Sequence, residues 1–367
     1  MNNSTLSVTA ERGHIPSLDG LRALSIMIVL IGHFFLGKLG GISSIGVYLF
    51  FVISGFLITR LLIAEIKASG SLNISAFYWR RFIRLYPVLI VYMVVICAFA
   101  SMYNIQTPPV EIAAVFLYFV NYLKAFYELN GHQHILPIGI LWSLSVEEHF
   151  YFIAPLFIAA VGGNPKKIAW FAGALCIIPL IIRFAYILQW PELADTNRIY
   201  MASETRFDSI AFGVLFAAIC ELSPGGAVRR ALCSRRALIV GVGMLLLSLA
   251  IRDGFFRDTL RYTVRSVGAL LIVAPVVFSP DLKRLQKLAN FPLVAWVGRI
   301  SYSLYIWHGA AFFFGSNMDI PDGFAMSFFE IGTTFTLAVA SYYLVEMPCL
   351  RLKKRAPWRR ANAVVPT

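Results

Sequence analysis

His33 sits inside the apolar run LSIMIVLIGHFF, residues 24–35, and Arg22 stands at the front edge of the same stretch. Histidine is the side chain best suited to take a proton from a hydroxyl near neutral pH. If the run is helical, His33 comes within about 20° of Arg22 and lies three turns, roughly 16 Å, further along the axis. The two then share one face, with a guanidinium toward the mouth of a cavity and an imidazole deeper in it. The plainer role for His33 is an interhelical hydrogen bond.

Further constellations carry chemistry of their own. In FYWRRFIRLYP, residues 77–87, Arg81 and Arg84 fall on one helix face with Arg80 beside them. Such a cluster anchors a helix at a cytoplasmic surface, or grips phosphates through charge-assisted hydrogen bonds. In LWSLSVEEHFYF, residues 141–152, Glu147 and Glu148 are adjacent. Neighbours on a helix point about 100° apart, so one carboxylate pairs with an arginine from another helix or orients an imidazole. Trp142, Arg206 and Asp208 of SETRFDSIAFG, and Trp307 and His308 of ISYSLYIWHG place aromatic rings beside polar groups. That mixture suits sugars, although an interfacial lipid belt has the same composition. Ser54 and Gly55 break an aromatic run; a small pair there admits a neighbouring helix or a ligand against the backbone. His132 and His134 alternate like metal ligands, but two ligands do not make a site, and no metal is expected.

The elements that position these groups must lie in a bilayer. Of 367 residues, 59% are hydrophobic and 14% charged, against about 25% charged in soluble domains; mean hydropathy is +0.73. Eleven candidate runs follow nearly end to end: 18–37, 43–63, 85–103, 109–123, 139–161, 168–189, 206–221, 237–252, 262–279, 292–313 and 325–346. The fourth is too short to cross unaided. The expected fold is therefore an all-α integral membrane bundle of about ten transmembrane helices with one short re-entrant or peripheral helix. It divides into an N-terminal tail, 1–17, a membrane domain, 18–346, and a basic C-terminal tail, 347–367. Asp19 and Arg22 interrupt the first run, and no small-residue cleavage site follows, so it is expected to stay as a helix rather than a signal peptide.

The net charge of +13 is spread over short loops rather than one patch, which speaks against nucleic acid. If the fourth run does not cross, one side of the membrane collects Arg60, Lys67, Arg80, Arg81, Arg84, Lys166, Lys167, Arg229, Arg230, Arg235, Arg236, Lys283, Arg284, Lys287 and the basic tail. The other side holds mainly Lys38, Lys124, Arg198, Arg252, Arg257 and Arg261. The excess marks the cytoplasm and puts both termini there. Five cysteines are scattered without paired spacing, which argues against a disulfide framework. His33, Glu147, Glu148, Arg183, Arg265 and His308 all fall well inside apolar runs. Each buried charge there costs about 2.5–3.5 kcal/mol on insertion scales, so they should face one another or a wet cavity.

With these residues in view, the chain resembles the acyltransferase-3 family of bacterial membrane O-acyltransferases over nearly its whole length. The resemblance is carried, in order, by SLDGLRALSIMIVLIGH, GVYLFFVISGFLI, the RxxR of Arg81 and Arg84, LWSLSVEEHFY, SETRFDSIAFG and ISYSLYIWH. His149 stands where the family more often has glutamine. The resemblance implies transfer of an acyl group, usually acetyl from cytoplasmic acetyl-CoA, to a sugar hydroxyl of a lipid-linked or cell-surface glycan such as lipopolysaccharide, at the bacterial inner membrane. His33, Arg22 and Glu147 are then the candidate catalytic residues. Arg80, Arg81, Arg84, Ser54 and Gly55 are candidates for the donor. Trp142, Glu148, Arg206, Asp208 and His308 are candidates for the acceptor. His33 would serve as general base or carry a short-lived acyl group. Some relatives carry an added extracytoplasmic esterase-like domain; this chain ends about twenty residues after its last run, so such a step is expected to need a separate partner. The rival reading is a polytopic glycan transporter or flippase, which also buries charge but needs no thioester.

Overall fold

The computed structural model describes residues 15, 17–35, 41–318, 320, 321 and 323–352. Residues 1–14 and 353–367, which make up most of the two expected tails, and Lys38 lie outside the described residues. Among the described residues the chain is helical, with no strand. The longer helices are α1 (Leu18–Phe34), α2 (Ile42–Ser69), α3 (Ile74–Met102), α4 (Trp142–Ala160), α5 (Pro165–Gln189), α6 (Ser203–Leu222), α7 (Arg235–Ala250), α8 (Leu260–Phe278), α9 (Ser301–Asn317) and α10 (Phe324–Ser341). Five segments are long and apolar enough to cross a membrane by length and composition: α2, α3, α5, α8 and Phe324–Leu352. The chain is thus an all-helical, multi-pass membrane protein at that level of description.

Helix boundaries follow local chemistry. Asn73 caps α3 by accepting the Ala76 N–H at 2.8 Å, so the helix starts eleven residues before the hydropathy run at 85 and takes in the arginine cluster. Asn164 caps α5 in the same way, with Pro165 as its first residue, where a missing N–H costs nothing. Run 109–123 is not one helix. It divides into Pro109–Phe116 and Val120–Leu129 around Tyr118, whose φ of +56° ends the first piece. Eight residues of helix span only about 12 Å. Run 292–313 is also divided, into Pro292–Arg299 and α9, because the buried Ile300 has ψ near 4°. Hydropathy is continuous across both breaks and does not register a dihedral change. After α10 the chain makes a π-helical turn, Tyr342–Glu346.

The contacts divide the chain into two units, residues 1–71 with 146–301, and residues 72–145 with 302–367. In the first, α2 is the central helix. Its Tyr48, Leu49, Val52 and Phe56 pack with Phe216 and Ala217 of α6 and with Ala269 and Val273 of α8. Lipid tails are as apolar as leucine, so helices in a membrane associate through close packing and hydrogen bonds. Small residues make that packing possible at the α2–α6 crossing. A Cβ on Gly55 would overlap the Ile210 carbonyl, and one on Gly213 would overlap that of Val52. In the second unit, Phe99 of α3 packs its ring on Phe314 of α9, with centroids 4.4 Å apart. The π turn there presents Glu346, which accepts a hydrogen bond from Ser303 at 2.9 Å.

Candidate functional site

Helix α1 has two chemically distinct sides. Leu24, Ile31 and Phe35 form its exposed apolar stripe, 46%, 42% and 55% accessible. Arg22 and His33 are half-buried. Nine residues separate Leu24 from His33, a rotation of about 180° on an α-helix. The imidazole therefore points away from the lipid-compatible stripe and shares its side with Arg22. In α4, Glu147, Glu148 and His149 are each half-buried. His149 Nδ1 lies 2.7 Å from the Ser203 hydroxyl, which ties α4 to the start of α6. Ser54 is hydrogen-bonded to the Tyr151 hydroxyl, and Gly55 faces the α6 backbone, so both donor candidates on α2 sit at helix crossings.

Arg206 and Asp208 are fully buried, and being two residues apart on α6 they point in different directions. The Arg206 guanidinium donates from Nη1 to the Tyr48 hydroxyl at 2.6 Å and lies 4.5 Å from the Tyr48 ring centroid and 4.8 Å from that of Tyr262. Asp208 faces α5 and α8. Its Oδ2 accepts from Arg183 Nη2 at 2.9 Å and from Thr263 Oγ1 at 2.9 Å, and Ser209 donates to Oδ1 at 3.3 Å. Arg183 also donates to the Thr205 carbonyl. The charge expected to need a partner at 183 is therefore matched inside the unit by Asp208.

In the second unit, Arg80, Arg81 and Arg84 are half-buried on α3 beside a ladder of rings. Trp79 and Phe82 stack at 6.0 Å and Phe82 and Tyr86 at 4.5 Å between centroids. Guanidiniums next to aromatic faces are typical of a bilayer interface and of a phosphate-binding surface alike. Trp142 is buried. Next to it, Ser143 Oγ lies 2.6 Å from the Tyr305 hydroxyl, which fixes α4 against α9. His308 is fully buried, and its Nδ1 lies 2.6 Å from the Tyr305 carbonyl. A carbonyl only accepts, so Nδ1 carries the proton and Nε2 is the basic nitrogen. The indole N–H of the adjacent, buried Trp307 has no acceptor among the described residues.

Sequence reasoning overlooked Glu111, whose carboxylate is fully buried in helix Pro109–Phe116. It accepts the N–H groups of Ile135 and Leu136 at 3.0 and 2.8 Å and lies 3.8 Å from His134 Nδ1. His134 thus belongs to a loop clamp. Burial pushes the Glu111 carboxyl up, but His134 and the two backbone N–H groups outweigh it and leave it below its ordinary 4.5. The stabilisation is complete above that ordinary value and disappears as pH falls through the lower folded one. Glu111→Gln is expected to lower the melting temperature of the solubilised protein at pH 7, with the gap to wild type closing in acid. A gap that widens on acidification would overturn this assignment.

Residues 15–345, taking in His33, the cluster of Arg80, Arg81 and Arg84, and α9, match the family model described as "Acyltransferase domain". The chain belongs to the acyltransferase-3 family. A protein of Staphylococcus aureus (strain COL), named "Putative O-acetyltransferase", is 30% identical over 353 residues, covering 91% of this chain and 57% of its own length. The "Peptidoglycan O-acetyltransferase OatA" of Listeria monocytogenes is 28% identical over 359 residues, covering 92% and 56%. The "O-acetyltransferase OatA" of Staphylococcus aureus (strain NCTC 8325 / PS 47) is 28% identical over 354 residues, covering 91% and 57%. This acyltransferase-3 chain thus spans little more than half the length of the curated relatives it matches. No solved structure matches it.

Proposed function

We propose that the chain is a membrane O-acetyltransferase that moves an acetyl group from cytoplasmic acetyl-CoA to a sugar hydroxyl of a lipid-linked or cell-surface glycan, with the peptidoglycan named for one relative among the candidate acceptors. The observation that carries this reading is the side of α1 shared by Arg22 and His33, opposite the exposed stripe of Leu24, Ile31 and Phe35. A helix serving only as an anchor has no use for two ionisable groups there. Family membership supports the acyl chemistry.

In this proposal His33 acts on the transfer by one of two balanced routes. As a general base it takes the sugar hydroxyl proton while that oxygen attacks the thioester carbonyl carbon, and the coenzyme sulfur leaves as the thiol. As a nucleophile it displaces the coenzyme thiolate first; the sugar oxygen then displaces the imidazole and takes the acetyl group, and the hydroxyl proton passes to the freed imidazole and on to the thiolate. Glu147 orients the imidazole or holds a neighbouring arginine. Arg81 and Arg84, with Arg80, grip the coenzyme phosphates at the cytoplasmic surface. Trp142, Glu148, Arg206, Asp208 and His308 serve the acceptor, Asp208 by holding Arg183 in place. Arg84→Ala is expected to raise the KM for acetyl-CoA about tenfold or more while leaving kcat within a few-fold, the signature of lost donor binding. An unchanged KM with a collapsed kcat would remove the donor role. Mass spectrometry of surface glycans with and without the gene tests the reaction itself: loss of an acetyl mass from a sugar supports it, and identical glycans overturn it.

We further propose ten membrane crossings in the inner membrane with both termini in the cytoplasm, supported by the placement of lysine and arginine. In this topology the exposed Gly131 faces outward and the exposed Gly225 faces the cytoplasm. In a cysteine-free background, Gly131→Cys is expected to react with a membrane-impermeant thiol reagent applied to intact cells, and Gly225→Cys only after the cells are broken. The reverse pattern would invert the topology.

A further inference from the structure

Two buried arginines in the first unit are treated differently by the fold. Arg183 meets the carboxylate of Asp208. Arg265, only 2% exposed on α8, meets no carboxylate among the described residues. Its Nε donates to the Ser248 hydroxyl at 3.0 Å and its Nη1 to the Ser44 hydroxyl at 2.6 Å. Both serines spend their own protons on backbone carbonyls, those of Leu245 and Gly41. They are neutral and cancel no charge, and an arginine cannot shed its proton.

Other positive potential converges on the same place. Nη2 of Arg265 lies 3.0 Å from the point where a Cβ on Gly41 would sit. Gly41, at φ +99°, is the N-cap of the 28-residue helix α2, and no side chain caps that terminus. The helix dipole places partial positive charge there, which disfavours a guanidinium and favours an anion. The Arg265 and Arg206 guanidiniums lie 5.9 and 4.5 Å from the centroid of one ring, that of Tyr48. A fixed cation buried in a membrane protein against the positive end of a helix is stable when an anion joins them.

We infer that Arg265, Ser44 and the N-terminus of α2 form a binding site for a phosphate-class anion. All of its residues lie in the first unit, whereas the proposed coenzyme-binding arginines belong to the second. The inference rests on the proposed topology only for its side of the membrane. There the starts of α2 and α8 both face outward, which makes the site suited to an acceptor or lipid phosphate rather than to the coenzyme. The anion can be a free phosphate, a phospholipid headgroup or the diphosphate of a lipid-carried sugar.

Native mass spectrometry of the intact detergent-solubilised chain, together with melting curves after delipidation, tests the site and separates these sources. The probes are inorganic phosphate, inorganic pyrophosphate and micelles containing phosphatidylglycerol. Wild type is expected to melt higher with at least one of them. A response confined to the micelles assigns the site to a lipid headgroup, and a response to pyrophosphate assigns it to a diphosphate. Arg265→Gln is expected to lose the response. Should that variant fail to fold, Ser44→Asp keeps the test decisive, because it sets a carboxylate on Nη1 within the first turn of α2, where acidic residues are favoured. It is expected to melt above wild type without any probe and to respond to none. A wild type indifferent to all three probes, or a Ser44→Asp variant that responds as wild type does, overturns the inference. None of these readouts involves acetyl transfer, so failure of the acyltransferase reading would leave the result intact.

Discussion

Replacing His33 by alanine is expected to abolish detectable O-acetylation of the glycan while the protein remains folded in the membrane. Positioned proton transfer contributes about 10²–10⁴-fold to rate, and a covalent route would lose its nucleophile altogether. Structural cost at this site should be small by comparison, because His33 is half-buried and lies near the end of α1, where trimming an imidazole opens no sealed core cavity. Acetyl incorporation into surface glycan, normalised to folded protein from size-exclusion chromatography, is the measurement. Near-normal acetylation would remove His33 from the chemistry. Loss of activity accompanied by loss of folded protein would assign it to packing instead. Trapping an acetylated His33 by rapid quench would select the covalent route.

Asp208→Asn is expected to have the largest effect on stability. The substitution leaves the Arg183 guanidinium fully buried with its carboxylate partner gone. Breaking a buried pair by removing one partner costs about 3–5 kcal/mol, because the remaining charge is uncompensated. Denaturant titration of the solubilised protein reads that loss directly. Combining Asp208→Asn with Arg183→Gln should recover most of it, since no net charge is then stranded. The pair of variants separates two roles for Asp208. If it touches the acceptor directly, the double variant regains stability but not acceptor affinity. If it only secures Arg183, both return together.

The all-helical, multi-pass character was legible in the sequence because apolar length is a one-dimensional signal. Both breaks in helix continuity were not. Tyr118 adopts a positive φ and Ile300 a ψ near zero within uninterrupted hydropathy, and neither residue type announces such a turn. At the site, the shared face of Arg22 and His33 follows from an eleven-residue spacing alone, and the exposed stripe opposite them agrees with it. The different directions of Arg206 and Asp208 were also implicit in their spacing, whereas the identity of Asp208's partner depends on how α5 packs against α6. Glu111 was hidden for the opposite reason. A lone carboxylate in a short apolar run gives no sign that two backbone N–H groups of a distant loop will converge on it.

The π turn at Tyr342–Glu346 has a consequence for the angular register of the last membrane helix. The buried residues of α10, Glu330, Thr334, Ala338 and Ser341, mark one meridian. An unbroken α-helix would carry Glu346 more than a third of a turn away from it. The wider π turn advances less per residue, and over five residues the shortfall is roughly a quarter turn. That slippage returns Glu346 toward the meridian, where it is buried and receives Ser303. A single-codon insertion between 342 and 345 would therefore do more than lengthen the helix: its added rotation of about 100° would swing the carboxylate off this meridian toward hydrocarbon, whereas a deletion would let the π turn close into α-helix with Glu346 near its present direction.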